Sequence, residues 1–276
     1  MTIQEVIQGM IRKTGVTPLP PEKTCDQLMA GSLSQEVKRI GSTFMATVDV
    51  IRKAADLGVN LIITHEPTWF TGRDDTEWLR DDPIYIAKKN LIEETGVAIW
   101  RFHDHMHMDQ DDGIFRGIDR ELGWREYRIK AAGDAPDGLF GGCYQIPATT
   151  LRELATFFKK TLAMEVVQIV GDPGQPVRRV GIMPGGGSLG LGSENMPMRL
   201  MAARDLDLII CGEITEWTLP AYVRDATQLG FAKAILVLGH ERSEEPGMKH
   251  LGDWMKSIVG DIEVVFIDSE EPFTYL

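Results

Sequence analysis

A chain of 276 residues, 43% hydrophobic and 25% charged, can build one large or two ordinary domains with full apolar cores. Its net charge of −12 works against nonspecific contact with DNA, RNA or anionic lipid, which need a basic face to displace counterions. No apolar run is long enough to cross a bilayer, and Met1-Thr2-Ile3-Gln4-Glu5 lacks the basic start of a secretory signal, so the expectation is a cytoplasmic protein with neither nucleic-acid nor membrane partners.

In chain order, helical periodicity is read at 2–13, 48–57, 83–95, 150–163, 216–229 and 249–259. Strand-like runs are read near 43–48, 59–64, 97–103, 139–146, 165–170, 178–183, 207–211, 233–238 and 262–267. Pro83 opens a helix, Gly58, Gly96 and Gly230 lie just beyond helix ends, and Thr150-Leu151-Arg152-Glu153 has capping-box spacing. The alternation predicts an α/β fold with three α/β/α layers and two intertwined domains holding mixed sheets. The turn-rich stretch 130–138 marks a boundary, giving one domain from 1–130 with 232–276 and a second from 131–231. The segments 60–66 and 207–213 echo each other, with Glu66 and Glu213 in register. Internal duplication and a chance recurrence of Leu-Ile-Ile both explain this.

Five of the six histidines fall in three clusters, each just after an apolar run. These are His65 with Glu66; His103, Asp104, His105, His107 and Asp109; and His240 with Glu241, Glu244 and Glu245. Imidazole and carboxylate hold zinc, manganese or non-haem iron, and strand ends in α/β sheets are where such groups converge. Cys25, Cys143 and Cys211 show no paired spacing, so the donors are nitrogen and oxygen. If residues 103–109 were extended, His103, His105, His107 and Asp109 would share one side over roughly 20 Å, too far for one ion unless the chain bends. His240 and Glu244 are spaced to share a face of a helical turn, with Glu241 and Glu245 on the adjacent face. Pro67 implies a turn at Glu66. Two divalent ions (Zn, Mn or Fe) are expected, with Glu241, Glu245 or His107 relaying protons.

Gly185, Gly187 and Gly190 satisfy G-x-G-x-x-G after a strand, but Pro197 interrupts the helix that a dinucleotide site needs. No P-loop occurs, and Ser243 lacks a nucleophile elbow. Trp69, Phe70 and Trp78 are placed either to stack a base or to pack.

These motifs resemble the NIF-three-like dinuclear-metal family, whose bacterial members are often labelled GTP cyclohydrolase I type 2 homologues. The resemblance runs from about Cys25-Asp26 to Glu245. The family's His-His-Pro, His-x-x-x-Asp and Gly-His-x-x-x-Glu elements correspond to His65-Glu66-Pro67, His105-Met106-His107-Met108-Asp109 and Gly239-His240-Glu241-Arg242-Ser243-Glu244. The resemblance implies His65, Asp109, His240 and Glu244 as metal ligands, with Glu66 where the family has a second histidine and His105 as a further candidate. It also implies a glycine-rich loop at Gly185, Gly186 and Gly187 whose backbone N–H groups could cradle a phosphate. The expected protein is a closed homo-oligomeric ring, a hexamer, with a two-metal site at the domain junction. Its expected activity is hydrolysis of a small nucleotide-like, cyclic-amide or phosphoester compound. The competing class is a non-catalytic metal-binding, metal-delivery or interaction protein.

Overall fold

The structure, a computed structural model, describes residues 1–129 and 141–276. The turn-rich stretch 130–138, the boundary drawn on it and the start of the strand expected from 139 lie outside the described residues. The chain divides into two units, the first Met1–Gly117 with Glu245–Glu270 and the second Ile118–Glu244 with Glu271–Leu276. In chain order the main elements are α1 Ile3–Thr14, β1 Leu28–Ala30, β2 Ile40–Thr43, α2 Val48–Asp56, β3 Leu61–Thr64, α3 Pro83–Thr95, β4 Ala98–Arg101, α4 Asp104–Met108 and α5 Gly113–Leu122. They continue with β5 Gly142–Thr150, α6 Leu151–Thr161, β6 Gln168–Val170, β7 Pro176–Met183, α7 Met196–Ala203, β8 Leu208–Cys211, α8 Leu219–Gln228, β9 Ala234–Val237, α9 His240–Lys249, α10 Leu251–Val259 and β10 Val264–Phe266.

Local chemistry sets several helix ends. The Thr150 hydroxyl accepts from the Glu153 N–H while the Glu153 carboxylate accepts from the Thr150 N–H, completing the expected capping box of α6. Asp82 accepts from the N–H groups of Ile84 and Tyr85, and Pro83 takes the first position of α3. Gly96 ends that helix at φ 64°, a left-handed value that glycine adopts without cost. The strand expected near 43–48 is β2, shifted toward the N-terminus because Thr47 is already the cap of α2.

The fold is α/β with two mixed five-stranded sheets. In the first, ordered β1-β4-β3-β2-β10, the last four strands are parallel and β1 is an antiparallel edge. In the second, ordered β5-β7-β8-β9-β6, the three central strands are parallel and both edges antiparallel. The central strands β3 and β8 are buried at every position, so they read as continuous apolar runs rather than alternating ones. The order β1-β4-β3-β2 of one sheet recurs as β6-β9-β8-β7 in the other, with the same strand senses. The echo of 60–66 in 207–213 is therefore matched by topology, since it falls on β3 and β8. No helix among the described residues is long and apolar enough to cross a membrane.

One buried cation stands out in the first unit. Lys88 of α3 is 5% exposed, donates from Nζ to the Thr68 carbonyl at 2.7 Å, and lies over the rings of Trp69 and Phe70 at 5.5 and 5.1 Å. Burial pushes its ammonium down to about 8, against the pull of Asp74. The unfolded chain therefore holds a proton at Lys88 that the folded chain releases between that value and the ordinary lysine range, so stability rises with pH across this window. Chemical denaturation of wild type and Lys88→Met should diverge by roughly 1 kcal/mol per pH unit between about pH 8.5 and 10, with wild type gaining. Parallel pH profiles would show that Lys88 keeps its proton.

Candidate metal centre

β3 and β4 are parallel neighbours that end level, Thr64 opposite Arg101, so the residues just beyond them emerge at one sheet edge. The Phe102 N–H donates to the Thr64 carbonyl at 2.8 Å, extending the ladder by one rung and setting His65 beside His103. Beyond this point the chain departs from the extended form considered above. Residues 104–108 wind into the short helix α4, which puts His103 and His107 on one face at i and i+4 and breaks the period-two alternation.

The turn is held by Asp26, distant in sequence and with a side chain 0% exposed. Its Oδ1 accepts from the N–H groups of His103 and Asp104 at 2.6 and 2.8 Å, and Oδ2 from the His105 N–H at 3.0 Å. One carboxylate thus satisfies three N–H groups at the start of a helix that lacks a side-chain cap of its own.

His65, His103 and His107 offer ring nitrogens that lie within 4.8 Å of one another. The His65 and His103 rings stack at 4.6 Å, while His107 stands edge-on at 5.0 Å from the first and 4.8 Å from the second. Each Nδ1 faces an oxygen: the Phe102 carbonyl for His65 (3.2 Å), Asp104 for His103 (2.9 Å) and Asp112 for His107 (3.0 Å). Carbonyl and carboxylate oxygens accept only, so each Nδ1 is the donor, and the neutral ring then carries its lone pair on Nε2. This outer arrangement is the one that fixes tautomer and ring direction in histidine metal sites, so the residues fit a divalent ion. The His103 hydrogen bond, aided by the Cys25 N–H, holds the Asp104 carboxyl far below the usual carboxylate range, which keeps it an acceptor. Cys25 also lies within reach of His103 and Asp104, its Sγ 3.4 Å from Asp104 Oδ1, but burial pushes the thiol up to about 12. It is a protonated neighbour near neutral pH rather than a thiolate.

Other sequence-based candidates of the first unit are placed differently. His105 donates from Nδ1 to Asp26 at 2.6 Å and accepts at Nε2 from the Leu19 N–H at 3.1 Å, so both ring nitrogens are engaged within the fold. Asp109 pairs with Arg116 at 3.0 Å rather than joining the histidines. Glu66 pairs through Oε2 with Arg101 at 3.3 Å, and its Oε1 lies 3.7 Å from His103 Nε2. His107, expected as a proton relay, stands among the donors. Glu245 is buried on α9. The i, i+4 spacing of His103 and His107 was the signal that could have singled out this pair.

In the second unit, α9 presents His240 and Glu244 on one face, His240 Nε2 lying 3.0 Å from Glu244 Oε2. Glu213, just past β8, accepts from His240 Nδ1 at 3.0 Å and so orients the imidazole. Glu241 forms an ion pair with Arg242 at 3.2 Å. In the glycine loop expected as a phosphate cradle, two of the three N–H groups are bonded within the fold. The Gly185 N–H donates to Ser243 Oγ at 2.9 Å and the Gly187 N–H to the Pro184 carbonyl at 3.0 Å, which leaves Gly186 alone of the three outside these bonds. Gly185 is instead a point of close approach: a Cβ there would fall 2.0 Å from Glu244 Oε1 and 2.7 Å from His240 Nε2.

Comparison with known proteins sets this geometry among relatives. The chain is 26% identical over 254 residues, 90% of each protein, to a Clostridium perfringens protein named GTP cyclohydrolase 1 type 2 homolog. Its fold is similar to that of a hypothetical protein of Staphylococcus aureus, with a TM-score of 0.72 at 18% identity over 100% of this chain and 99% of the other. It is also similar to a Bacillus cereus protein described as related to NIF3, with a TM-score of 0.73 at 13% identity over the same shares of the two chains. The profile of the Duf34/NIF3 (NGG1p interacting factor 3) family matches residues 21–272, and the chain belongs to that family.

Proposed function

We propose that this protein is a metal-dependent hydrolase of a small nucleotide-like, cyclic-amide or phosphoester compound. The observation that carries the reading is the common orientation of His65, His103 and His107, each anchored through Nδ1 to an acceptor oxygen. Three imidazoles held this way have lost most of their rotational freedom before an ion arrives, which favours binding over a floppy cluster. In the second unit, His240 with Glu244 supplies a further nitrogen and oxygen donor pair, oriented by Glu213. A divalent ion supplies Lewis acidity and lowers the pKa of water. The clostridial relative is named as a homolog of a GTP cyclohydrolase, and the nitrogen and oxygen donors suit metal-dependent hydrolysis.

Elemental analysis of protein purified without chelator should find at least one divalent ion per chain, with His65→Ala and His107→Ala each losing most of it. A hydrolysis screen over phosphoesters, nucleotides and cyclic amides should show turnover that a chelator abolishes and metal restores. Metal-free wild type after supplementation would sink the metal reading. Bound metal with no turnover across the screen would favour metal binding or delivery without catalysis.

A further inference from the structure

We propose that Arg101 is a positioning residue of the histidine group: it fixes Glu66 so that Oε1 serves as a fourth donor beside His65, His103 and His107. The inference rests on the metal-binding reading above. Arg101 ends β4 opposite Thr64, and its side chain is 3% exposed. Its Nε donates to the His65 carbonyl at 3.0 Å, and one terminal nitrogen donates to the Gly72 carbonyl at 2.7 Å and to Asp74 at 3.4 Å. The other terminal nitrogen donates to Glu66 Oε2 at 3.3 Å. A planar guanidinium pinned at two of its nitrogens cannot follow the third partner, so the Glu66 carboxylate is tied to a fixed point.

The tie is made through one oxygen, and the other faces the histidines. Glu66 Oε1 is 3.7 Å from His103 Nε2, the nitrogen on which the ring lone pair has been placed. The bond to the His65 carbonyl serves to anchor the guanidinium itself, so that Glu66 is met by a fork held in place. Asp74, 3% exposed at its side chain, shares the same guanidinium. Glu66, Arg101 and Asp74 together then carry one net negative charge, which reaches the donor group through Glu66. The resulting set is three imidazole nitrogens and one carboxylate oxygen, suited to zinc, cobalt or iron. Neither Arg101 nor its bonds are announced by the histidine motifs, because Arg101 precedes the cluster inside a buried strand.

Cobalt titration tests this without reference to turnover. Affinity by competition and the visible d–d absorption of bound cobalt would be measured for wild type, Arg101→Lys, Glu66→Gln, the double variant and His103→Ala. Arg101→Lys keeps the charge but not the fork, and Glu66→Gln keeps the shape but not the anion. Each should weaken cobalt binding by about tenfold and alter the d–d spectrum, and the double variant should be no weaker than Glu66→Gln alone, because Arg101 acts through Glu66. Unchanged affinity and spectrum in Glu66→Gln would remove Glu66 from the donor set and overturn the proposal, whether or not Arg101→Lys folds. Additive losses in the double variant would overturn it by showing that Arg101 acts elsewhere. A wild type that binds no cobalt, and so matches His103→Ala, would instead defeat the metal reading on which it stands.

Discussion

Replacing Asp26 with alanine is expected to cost about 3–5 kcal/mol of stability and to abolish ion binding by the histidine group. The Asp26 side chain is wholly buried and accepts four hydrogen bonds, three from the backbone of residues 103–105 and one from His105 Nδ1. Removing the acceptor leaves those donors in the interior with no replacement, and α4 loses what holds its first turn. His103 and His107 then lose the shared face that α4 provides. Asp26→Asn should be milder, because an amide oxygen still accepts at one side while its NH2 opposes the donors at the other. Urea unfolding gives the stability loss and cobalt or zinc titration the binding loss. A variant with wild-type midpoint and affinity would mean that α4 holds its turn without Asp26.

Gly185→Ala is the second large effect expected, and it acts on the second unit. The backbone at Gly185 has φ 51°, in the left-handed region, where a side chain costs about 1–2 kcal/mol by itself. The added methyl would also lie 2.0 Å from a carboxylate oxygen of Glu244, a residue only 4% exposed and with little room to retreat. Glu244 must therefore swing away from His240, and the pair should lose at least about tenfold in metal affinity as its geometry opens. Gly186→Ala is the matched control, since a Cβ there meets nothing within 4 Å. Calorimetry and metal titration of the two variants should separate clearly. Equal behaviour would mean that the loop yields to the methyl instead of Glu244.

The sequence displays those parts of the fold whose causes are local. The capping box at Thr150 and the glycine stop at Gly96 are complete within a few residues, and both helices sit where those signals put them. The buried strands β3 and β8 are equally plain, because burial on both faces leaves an unbroken apolar run. The fold of 103–108 is not local. Histidines at 103, 105 and 107 imitate the period of a strand, while the carboxylate that winds them into a helix is Asp26. Of α9, the turn joining His240 to Glu244 was legible from their spacing, whereas its full length was veiled, since Glu241, Arg242, Ser243, Glu244 and Glu245 are polar yet buried and Pro246 lies inside it. The candidate positions followed the same divide. The place of His65 at the end of an apolar strand was legible, whereas the contacts of Arg101 and Glu213 depend on neighbours supplied by other strands.

The recurrence of one strand order in both units bears on how such a protein can change over time. Each unit places a helix right after the matching strand, β4 before α4 and β9 before α9, and each helix presents donors one turn apart. Yet one donor group is rich in imidazole and the other mixes imidazole with carboxylate. One strand order followed by a helix thus carries two different sets of side chains at matching places. A point substitution at either place changes the side-chain chemistry offered there without touching the strand order that positions it, so the chemistry can drift while the architecture stays.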